Sequence, residues 1–402
     1  MTQAKSVHLI LLLGNRLQPA TMLAYHLRPA HVACIGSTDR PDTVSEVQEA
    51  LTYLLGAARW AGERTVAPYR LDETLTAIDA LAADHAGASL IIGLTGCPLP
   101  MSIAGYEAGR RRGCPVLYVN TAGAEVVDFT QPDQQESLRV RFAIKDYLAI
   151  CGLQLVTGRK PRYFSTSAEQ TEAARLLGHA DLPGVEVIAA LRQAGLLSGR
   201  RRRLHPGTLS REGRHLLQQL ADLHVLTEVS ESFGGFISIR VPTVGEQAFL
   251  NGDWLEAYVW DVAQGLFAQD PTLFDAADIR VAFQTRAAQR EAGNILREVD
   301  FIALRGGAPL IATCKTGATP WQKHDLDEVA AVAQLLGGGY VTRLFISNQY
   351  PPISPDVQIQ SAFAQFQEQA RRQRVVLVSG EQLGHLPEVL RKEITDPTYK
   401  PL

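Results

Sequence analysis

The sequence has few cysteines and no long apolar run. Its five cysteines form no Cys-x-x-Cys pair and no cluster with histidine. This argues against a disulfide scaffold and a structural zinc site, and favours a reducing compartment. No stretch approaches the roughly 20 apolar residues that a membrane-spanning helix needs. We therefore expect a cytoplasmic protein with no membrane segment.

Strong net charge and nucleotide-binding motifs are also missing. The net charge of 402 residues is only −3, so any surface for nucleic acid must be local. No Gly-x-Gly-x-x-Gly follows the first strand and no Walker sequence occurs, which argues against a dinucleotide cofactor or bound ATP. The apolar start KSVHLILLLGNR is short and runs directly into Asn15 and Arg16. We interpret it as a buried parallel strand rather than a signal peptide.

Residues 1–150 alternate between strand and helix patterns. Strands are predicted at Val7–Leu13, His31–Ser37, Ser89–Leu94 and Pro115–Asn120. A helix is expected from Thr43 to about Ala61. The alternation predicts a doubly wound α/β domain with a mostly parallel sheet. Ligands of such sheets bind beyond the carboxyl ends of the strands, so the loops that start at Gly14, Ser37 and Thr95 are the first candidates.

Residues 151–245 are interpreted as a polar, helical connecting region that ends in a hairpin. Four consecutive arginines, Arg200–Arg203, form either a solvated loop or a contact for a phosphate backbone. The hairpin has Gly234 and Gly235 at its turn. Winged-helix units end in the same way, but no clear recognition helix precedes this hairpin, so we do not favour one.

Residues 246–402 follow a different order. A helix begins near Gly252, and three strands, a helix, a strand, a helix and a strand follow it. The strands are predicted at Ile279–Thr285, Ile295–Leu304, Pro309–Lys315, Val341–Ser347 and Val375–Ser379, with a helix at Leu326–Leu336 before the fourth. This order is the core arrangement of restriction-endonuclease-like nucleases, which predicts a second α/β domain of that kind.

The second and third of these strands form a hairpin with a polar face. If the Gly-Gly dipeptide after Arg305 forms the turn, antiparallel register places Asp300 opposite Thr313 and Glu298 opposite Lys315. Alternation puts these four side chains on one face. The opposite face is apolar: Ile295, Val299, Phe301, Leu310, Ala312 and Cys314. The polar face is either a functional site or a structural ion pair between Glu298 and Lys315.

Phosphodiester cleavage would explain this polar face. The reaction needs a divalent cation held by hard oxygen ligands, an activated water and stabilisation of charge on the phosphate. Asp300 would be the principal ligand and the backbone carbonyl of Cys314 another, while Lys315 would orient the water or neutralise the phosphate. Glu256, on the preceding helix, is either a further ligand or an exposed first-turn acid.

The hairpin resembles the PD-(D/E)xK signature of nucleases, with Asp300 as its first element and Lys315 as its last. Thr313 stands where the second acid is expected, and threonine cannot replace the charge of a carboxylate. The departure implies an acid from elsewhere, weakened metal affinity or lost catalysis. The candidate substitutes are Glu256, Glu298 and Glu328.

The whole chain resembles the CARF–nuclease proteins of type III CRISPR defence, which cyclic oligoadenylates activate. LLGNRLQPATM (Leu12–Met22) is similar to their first ligand loop, and GLTGCPLPMSIAGYEAGR (Gly93–Arg110) to their second loop and its helix. GDWLEAYVWD, REVD…CKTG and HDLDEVAAVAQLLGG resemble their nuclease segments in the family's order. The second loop departs, because Gly93 replaces the usual Asn and Cys97-Pro98-Leu99 replaces Gly-Thr-Lys.

The resemblance implies a homodimer that binds cyclic tetra-adenylate across its two-fold axis and then cleaves DNA or RNA, or both, with Mn²⁺ or Mg²⁺. The implied activator contacts are Gly14, Asn15, Arg16, Gln18, Pro19, Thr95, Gly96, Cys97 and Met101. Backbone N–H groups of the second loop and the following helix N-terminus can bind an anion. The alternative for this loop is a plain strand-to-helix turn.

Two other functions fit the sequence. One is a cyclic-oligoadenylate-sensing regulatory protein whose nuclease site is inactive, which Thr313 favours. The other is a transcription regulator that binds DNA through Arg200–Arg203.

Overall fold

The computed structural model describes residues 6–156, 166–285 and 297–400, except residues 85, 122, 132, 134, 197, 206, 233 and 354–355. Ile295 of the predicted hairpin lies outside the described residues. The chain forms two large sheets and a small one. No helix within these ranges is both long and apolar enough to cross a membrane.

The N-terminal sheet has seven strands in the order β3-β2-β1-β4-β5-β6-β7. The elements are β1 (Val7–Leu12), α1 (Gln18–Leu27), β2 (His31–Ser37), α2 (Asp42–Leu55), β3 (Trp60–Val66), α3 (Leu71–Ala83), β4 (Ser89–Gly93), α4 (Leu99–Arg112), β5 (Val116–Asn120), β6 (Glu125–Asp128) and β7 (Gln135–Ser137). The first five strands are parallel and the last two antiparallel. The predicted doubly wound domain is confirmed, and its strand order reverses between β1 and β4.

One helix prediction in this sheet is wrong. The helix expected to reach Ala61 ends at Leu55, and Trp60–Val66 forms β3 instead. Gly56 ends the helix with a φ of 92°, a conformation that side-chain-bearing residues rarely adopt. The second half of β3 is polar and exposed, so its residues carry no apolar strand pattern.

The middle of the chain holds a three-stranded sheet in the order β10-β11-β9. Its elements are α5 (Ile144–Ile150), β8 (Leu153–Leu155), α6 (Ala168–His179), α7 (Asp181–Gln193), β9 (Arg201–Leu204), α8 (Arg211–Asp222), β10 (Thr227–Glu231) and β11 (Ile237–Arg240). From α7 onward the order is helix, strand, helix and β-hairpin, as in winged-helix units. A separate helix, α8, therefore precedes the hairpin, and the sequence pattern had not distinguished it from α7.

The four arginines do not form a loop. Arg200 directly precedes β9, and the other three lie in it. Arg201–Arg203 belong to the strand, and Arg201 forms a salt bridge of 2.6 Å with Glu228. Since β9 is an edge strand paired only with β11, it needs little apolar surface. This explains why the sequence pattern predicts no strand at β9. It also explains why α7 and α8 were predicted as one helical region.

The C-terminal sheet has six strands in the order β16-β15-β14-β13-β12-β8. Its elements are α9 (Val244–Ala248), α10 (Trp254–Gln269), β12 (Ala276–Thr285), β13 (Arg297–Arg305), β14 (Ala308–Lys315), α11 (Lys323–Leu335), β15 (Thr342–Ser347), α12 (Val357–Arg372), β16 (Val375–Val378), α13 (Gly380–Leu383) and α14 (Leu386–Thr395). The predicted order of helices and strands is observed. The edge strand β8 comes from the predicted connecting region and pairs with β12 through Leu155 and Phe283.

The two large sheets share an apolar core. One cluster of buried side chains includes Leu9 and Leu11 of β1 together with Ile302 of β13 and Ile311 of β14. The hydroxyl of Tyr147, from α5, donates a hydrogen bond of 2.5 Å to the backbone oxygen of Leu336 after α11. Each fully buried aliphatic side chain contributes about 1.5–3 kcal/mol, so this core holds the C-terminal sheet against the N-terminal domain.

Candidate functional site

A tight turn sets the register of the β13–β14 hairpin. Gly306 and Gly307 have φ values of 56° and 79°, which a two-residue type I′ turn requires. Arg305 therefore pairs with Ala308, and the ladder continues to Phe301 and Ala312. The predicted register is confirmed from Arg305–Ala308 to Phe301–Ala312, and the pairs Asp300–Thr313 and Glu298–Lys315 lie beyond this ladder.

Asp300 lies one residue beyond the last pair of this ladder, and its side chain hydrogen-bonds to β14. Its Oδ2 accepts hydrogen bonds from the backbone N–H of Cys314 at 2.7 Å and from Oγ1 of Thr313 at 3.1 Å. Burial raises the pKa of Asp300, and these two hydrogen bonds oppose the rise. Thr313, at the position of the missing acid, thus positions Asp300.

Glu256 lies half-buried near Asp300. It lies in the first turn of α10 with 16% of its side chain exposed, so the interpretation as an exposed first-turn acid is wrong. Burial, and after it the carboxylate of Asp300, raise the pKa of Glu256 to about 7, against the opposing effect of Arg280. Two half-buried carboxylates that repel each other are a favourable environment for a cation.

The cationic side chain of Arg280 lies beside the carboxylate of Glu256. Nε of Arg280, on β12, forms a salt bridge with Oε2 of Glu256, and its Nη2 lies 2.7 Å from Oδ1 of Asp253. The Arg280 side chain is only 10% exposed. Its charge also acts on Asp300, whose pKa it lowers. The sequence analysis did not predict Arg280 as a site residue. An arginine inside an apolar strand pattern could have indicated it.

At Arg280, β12 and β13 change which of their two faces packs against which apolar cluster. Its φ of 52° is uncommon for a residue with a side chain. On one side of it Ile279 pairs with Phe301, and on the other Val281 pairs with Val299.

The alternation of faces is interrupted at this point. Phe301 packs in the cluster with α10, whereas Val299 packs in the cluster shared with the N-terminal domain. The prediction that Val299 shares a face with Phe301 is therefore wrong. The rest of the predicted apolar face that the structure describes, Leu310, Ala312 and Cys314, does pack with Phe301.

Lys315 forms a salt bridge with an acid that the sequence did not predict as its partner. Its Nζ lies 3.0 Å from Oδ1 of Asp325, a buried residue in the first turn of α11. Burial lowers the pKa of Lys315, but the hydrogen bond and charge of Asp325 outweigh it and the net shift is upward. Glu298 is exposed on β13. The ion pair proposed between Glu298 and Lys315 is not the one that forms.

The connecting helices reach the same site. Nη2 of Arg192, at the end of α7, donates to Oγ1 of Thr316 at 2.6 Å and to the backbone oxygen of Asn251 at 2.7 Å. Thr316 directly follows Lys315, and Asn251 directly precedes the turn into α10. Arg192 therefore clamps the two segments that carry Lys315 and Glu256.

Of the four predicted catalytic residues, Glu256, Asp300 and Lys315 come together, and Glu298 lies at the surface. Within the described ranges, no group of three or more His, Cys, Asp or Glu side chains is placed to hold a metal ion. Glu256 and Asp300 are nonetheless of the right chemistry, because Mg²⁺ is usually held by about one or two carboxylates plus waters and substrate phosphates. A metal ion would share Glu256 with Arg280.

The two predicted activator loops meet where the strand order of the N-terminal sheet reverses. A Cβ atom on Gly14 would lie 1.7 Å from the backbone oxygen of Gly96. Gly96 itself has a φ of 84°. Glycine at both positions lets the loop after β1 touch the loop after β4.

The side chains of the predicted activator contacts differ in exposure. Asn15, Arg16 and Gly96 are exposed, Cys97 is half-buried, and Gly14, Gln18, Pro19, Thr95 and Met101 are buried. Oγ1 of Thr95 accepts a hydrogen bond of 2.8 Å from the backbone N–H of Val119. The buried polar members thus hold the fold, which leaves the three exposed residues and the loop backbone accessible to a ligand.

Two polar side chains of these loops already have partners within the fold. The thiol of Cys97 contacts Oγ of Ser102 at 3.0 Å, and burial raises its pKa to about 11. Gln18 hydrogen-bonds to Cys151.

Arg16 connects its loop to the C-terminal sheet. Its guanidinium lies 5.0 Å from the ring centroid of Tyr340, a distance at which a cation is attracted to an aromatic face. Tyr340 ends a short 3₁₀ turn, Gly338–Tyr340, that follows α11. Since α11 carries Asp325, one helix links the predicted activator loop to the partner of Lys315.

Sequence comparison finds no matching family model and no matching curated protein. Structural comparison does find matches. Can2 from Sulfobacillus thermosulfidooxidans, in complex with cyclic tetra-adenylate, superposes with a TM-score of 0.70 at 17% identity, over 96% of this chain and 99% of Can2.

The chain has the fold of Can2. Protein VC1899 from Vibrio cholerae has it too, with a TM-score of 0.74 at 15% identity, over 98% of this chain and 99% of VC1899. The match to Can2 extends over both α/β domains, so the predicted two-domain fold class is confirmed. At these identities the likeness shows the fold.

Proposed function

We propose that the protein is a metal-dependent nuclease activated by cyclic tetra-adenylate. The observation that carries the proposal is the convergence of Asp300, Glu256 and Lys315 at the end of one hairpin. The chain around this site has the full-length fold of Can2, whose structure contains cyclic tetra-adenylate. We also propose the domain division at residues 1–150, 151–245 and 246–402, with β8 joining the last domain.

The proposed chemistry assigns each buried group a role. Asp300 and Glu256 would hold Mn²⁺ or Mg²⁺, with the backbone carbonyl of Cys314 as a further ligand. The ion, when bound, would polarise the phosphate and lower the pKa of a water molecule. Lys315, kept charged and aimed by Asp325, neutralises the phosphate or orients the attacking water. Arg280 offsets the mutual repulsion of Asp253, Glu256 and Asp300.

Glu256 is the acid that compensates for Thr313. It is half-buried, it interacts electrostatically with Asp300, and it comes from α10 rather than from the hairpin. Thr313 then keeps a positioning role through its hydrogen bond to Asp300. This assignment favours a working site over a decayed one.

Activation would begin at the N-terminal loops. Asn15, Arg16 and the backbone at Gly96 bind the activator in a homodimer, whose two-fold symmetry suits a cyclic ligand. The contact of Arg16 with Tyr340 then transmits the change to α11. Activation in this scheme requires that the ligand binds the working arrangement more tightly than the resting one.

A nicking assay tests the proposal. Supercoiled plasmid, single-stranded DNA and single-stranded RNA are incubated with Mn²⁺, with and without cyclic tetra-adenylate. We expect cleavage of at least one substrate that needs both additions and is lost in Asp300→Ala. A folded dimer that cleaves none of the three under either condition contradicts the proposal.

The second candidate function is a ligand-sensing regulator with an inactive nuclease site. The pairing of Glu256 with Arg280 favours it, because that carboxylate is already neutralised. Thr313→Glu discriminates between the two functions. A large gain of cleavage over an inactive wild type supports a decayed site, and loss of wild-type cleavage in Asp300→Ala supports a working one.

A further inference from the structure

A cavity of about 910 Å³ lies between the N-terminal domain and the turn of the β13–β14 hairpin. Its walls include Tyr25 and Arg28 at the end of α1, Arg139 after β7, Arg305 at the hairpin turn and Lys400 near the chain end. None of the nine predicted activator contacts lines it, and neither do Glu256, Asp300 and Lys315. The cavity therefore shares no predicted contact with either site described above, although it adjoins the activator loop through Tyr340, which contacts Arg16.

The cavity is positively charged. Five basic side chains line it, namely Arg28, Arg139, Arg141, Arg305 and Lys400, against two acids, Asp275 and Glu393. Both acids are engaged within the fold. Asp275 accepts from the backbone N–H of Gly306 at 2.8 Å and lies 3.5 Å from Arg141. Glu393 accepts from Lys392 at 2.6 Å and from the N–H of Thr398 at 2.8 Å.

Three guanidinium groups of the cavity have no carboxylate at salt-bridge distance in the described residues, although the charge of Arg305 also acts on Asp270 and lowers its pKa. In the part of the chain that the structure describes, Arg28, Arg139 and Arg305 form no salt bridge with a carboxylate, and all three side chains are exposed to the cavity or its mouth. Arginines that converge on a concave surface raise the local concentration of anions. Their planar forks match phosphate oxygens in a bidentate way.

The size and the aromatic lining narrow the class of ligand. Cavities of about 300–1,000 Å³ hold small molecules and cofactors. The half-buried rings of Tyr25 and Tyr340 line the wall, and the guanidinium of Arg28 lies 4.1 Å from the centroid of Tyr25. An aromatic wall beside unpaired arginines suits a planar base joined to phosphates.

We propose that this cavity is a second ligand site, which binds a nucleotide or another small polyphosphate through Arg28, Arg139 and Arg305. Arg139 belongs to the N-terminal domain, whereas Arg305 belongs to β13, the strand that carries Asp300. A bound polyphosphate bridges the two domains and favours the arrangement in which these arginines lie close together.

Isothermal titration calorimetry of the full-length protein tests this site without any cleavage step. The ligands are ATP, inorganic tripolyphosphate and, as the uncharged comparison, adenosine. We expect ATP and tripolyphosphate to bind and adenosine to give no measurable heat. Tighter binding of ATP than of tripolyphosphate places the base against the tyrosines, and equal binding assigns recognition to the phosphates alone.

Matched variants locate the site. Arg139→Ala/Arg305→Ala should weaken tripolyphosphate binding at least tenfold. Arg110→Ala/Arg371→Ala makes the same change in net charge at two exposed arginines outside the cavity, and should bind as the wild type does. Circular dichroism establishes that both proteins fold, and the single variants Arg28→Ala and Arg305→Ala repeat the test with less perturbation.

Three outcomes overturn the inference. They are no binding of either polyphosphate, equal binding by the cavity double variant and the wild type, and displacement of bound tripolyphosphate by cyclic tetra-adenylate. Because the readout is binding, a protein that binds tripolyphosphate but cleaves nothing refutes the proposed nuclease function alone. A nuclease that binds no polyphosphate refutes only the cavity site.

Discussion

Nζ of Lys315 lies 3.0 Å from Oδ1 of Asp325, so a residue of α11 orients the lysine at the end of β14. The hairpin pattern alone pairs Lys315 with Glu298, which instead is exposed. The upward shift in the pKa of Lys315 keeps the ammonium charged at neutral pH. Its role in the proposed reaction is therefore to supply positive charge, and Asp325 is the positioning residue.

Asp325→Asn should lower cleavage about ten- to a hundredfold, the usual effect of removing a group that orients a site residue. The amide keeps the shape but loses the charge that holds Lys315. The measurement is the nicking rate with Mn²⁺ and activator across a range of pH. Asp327→Asn, on the exposed side of the same helix, is the control. A wild-type rate in Asp325→Asn would show that Lys315 needs no partner.

Arg280→Gln should destabilise the metal-free protein by about 1–3 kcal/mol, because it leaves the half-buried acids Glu256 and Asp253 without their counter-charge. Mn²⁺ should then raise the melting temperature of the variant more than that of the wild type, since the ion takes over the lost charge. Thermal unfolding with and without Mn²⁺ measures both effects.

Arg175→Gln serves as the control for this prediction. It breaks a pair with Asp261 in which the arginine side chain is 51% exposed, and such pairs are worth little. If Mn²⁺ raises the melting temperature of Arg280→Gln no more than that of the control, the acids around Arg280 do not form a cation site.

Glu256 makes stability depend on pH. Its folded pKa of about 7 lies above the ordinary value of 4.5, so the folded state holds a proton that the unfolded state releases between these values. The stabilisation is full below the unfolded pKa and is lost as pH rises through the folded one. Relative to Glu256→Gln, the wild type should lose roughly 1–3 kcal/mol between about pH 5 and 7.5.

Urea unfolding in buffer with a chelator measures this loss. The glutamine variant carries no titrating group at position 256, so the difference between the two pH profiles isolates the carboxyl. Parallel profiles for the two proteins would mean that Glu256 ionises normally and does not share a buried place with Asp300.

Arg16→Ala should weaken cyclic tetra-adenylate binding about tenfold or more, because Arg16 is the exposed cation of the loop after β1 and phosphate recognition depends on such charges. Calorimetry with the activator gives the affinity. Arg64→Ala, on the exposed part of β3, makes the same change in net charge away from the loop. Equal affinities for the two variants would remove Arg16 from the activator site.

Local geometry explains which parts of the site the sequence predicts. The Gly-Gly turn fixes the register of β13 and β14, so the placement of Asp300 against Thr313 follows from the sequence. The left-handed conformation of Arg280 has no comparable signal, and neither does the change of face at Val299 on the neighbouring strand.

Tertiary packing explains the rest. Asp325 and Arg192 reach the site from α11 and α7, and periodicity within one helix does not reveal which sheet edge that helix end meets. The same reason applies to β8, whose three residues join the C-terminal sheet across more than a hundred residues of chain. The order of elements is local information, whereas their contacts are not.

The most direct test of the central claim is a crystal structure with Mn²⁺, read by its anomalous scattering. The account predicts one ion bound by carboxylate oxygens of both Asp300 and Glu256, with Nζ of Lys315 facing it and Asp325 still behind the lysine. An ion bound elsewhere in the chain, or no ion while Arg280 keeps its pair with Glu256, would contradict it.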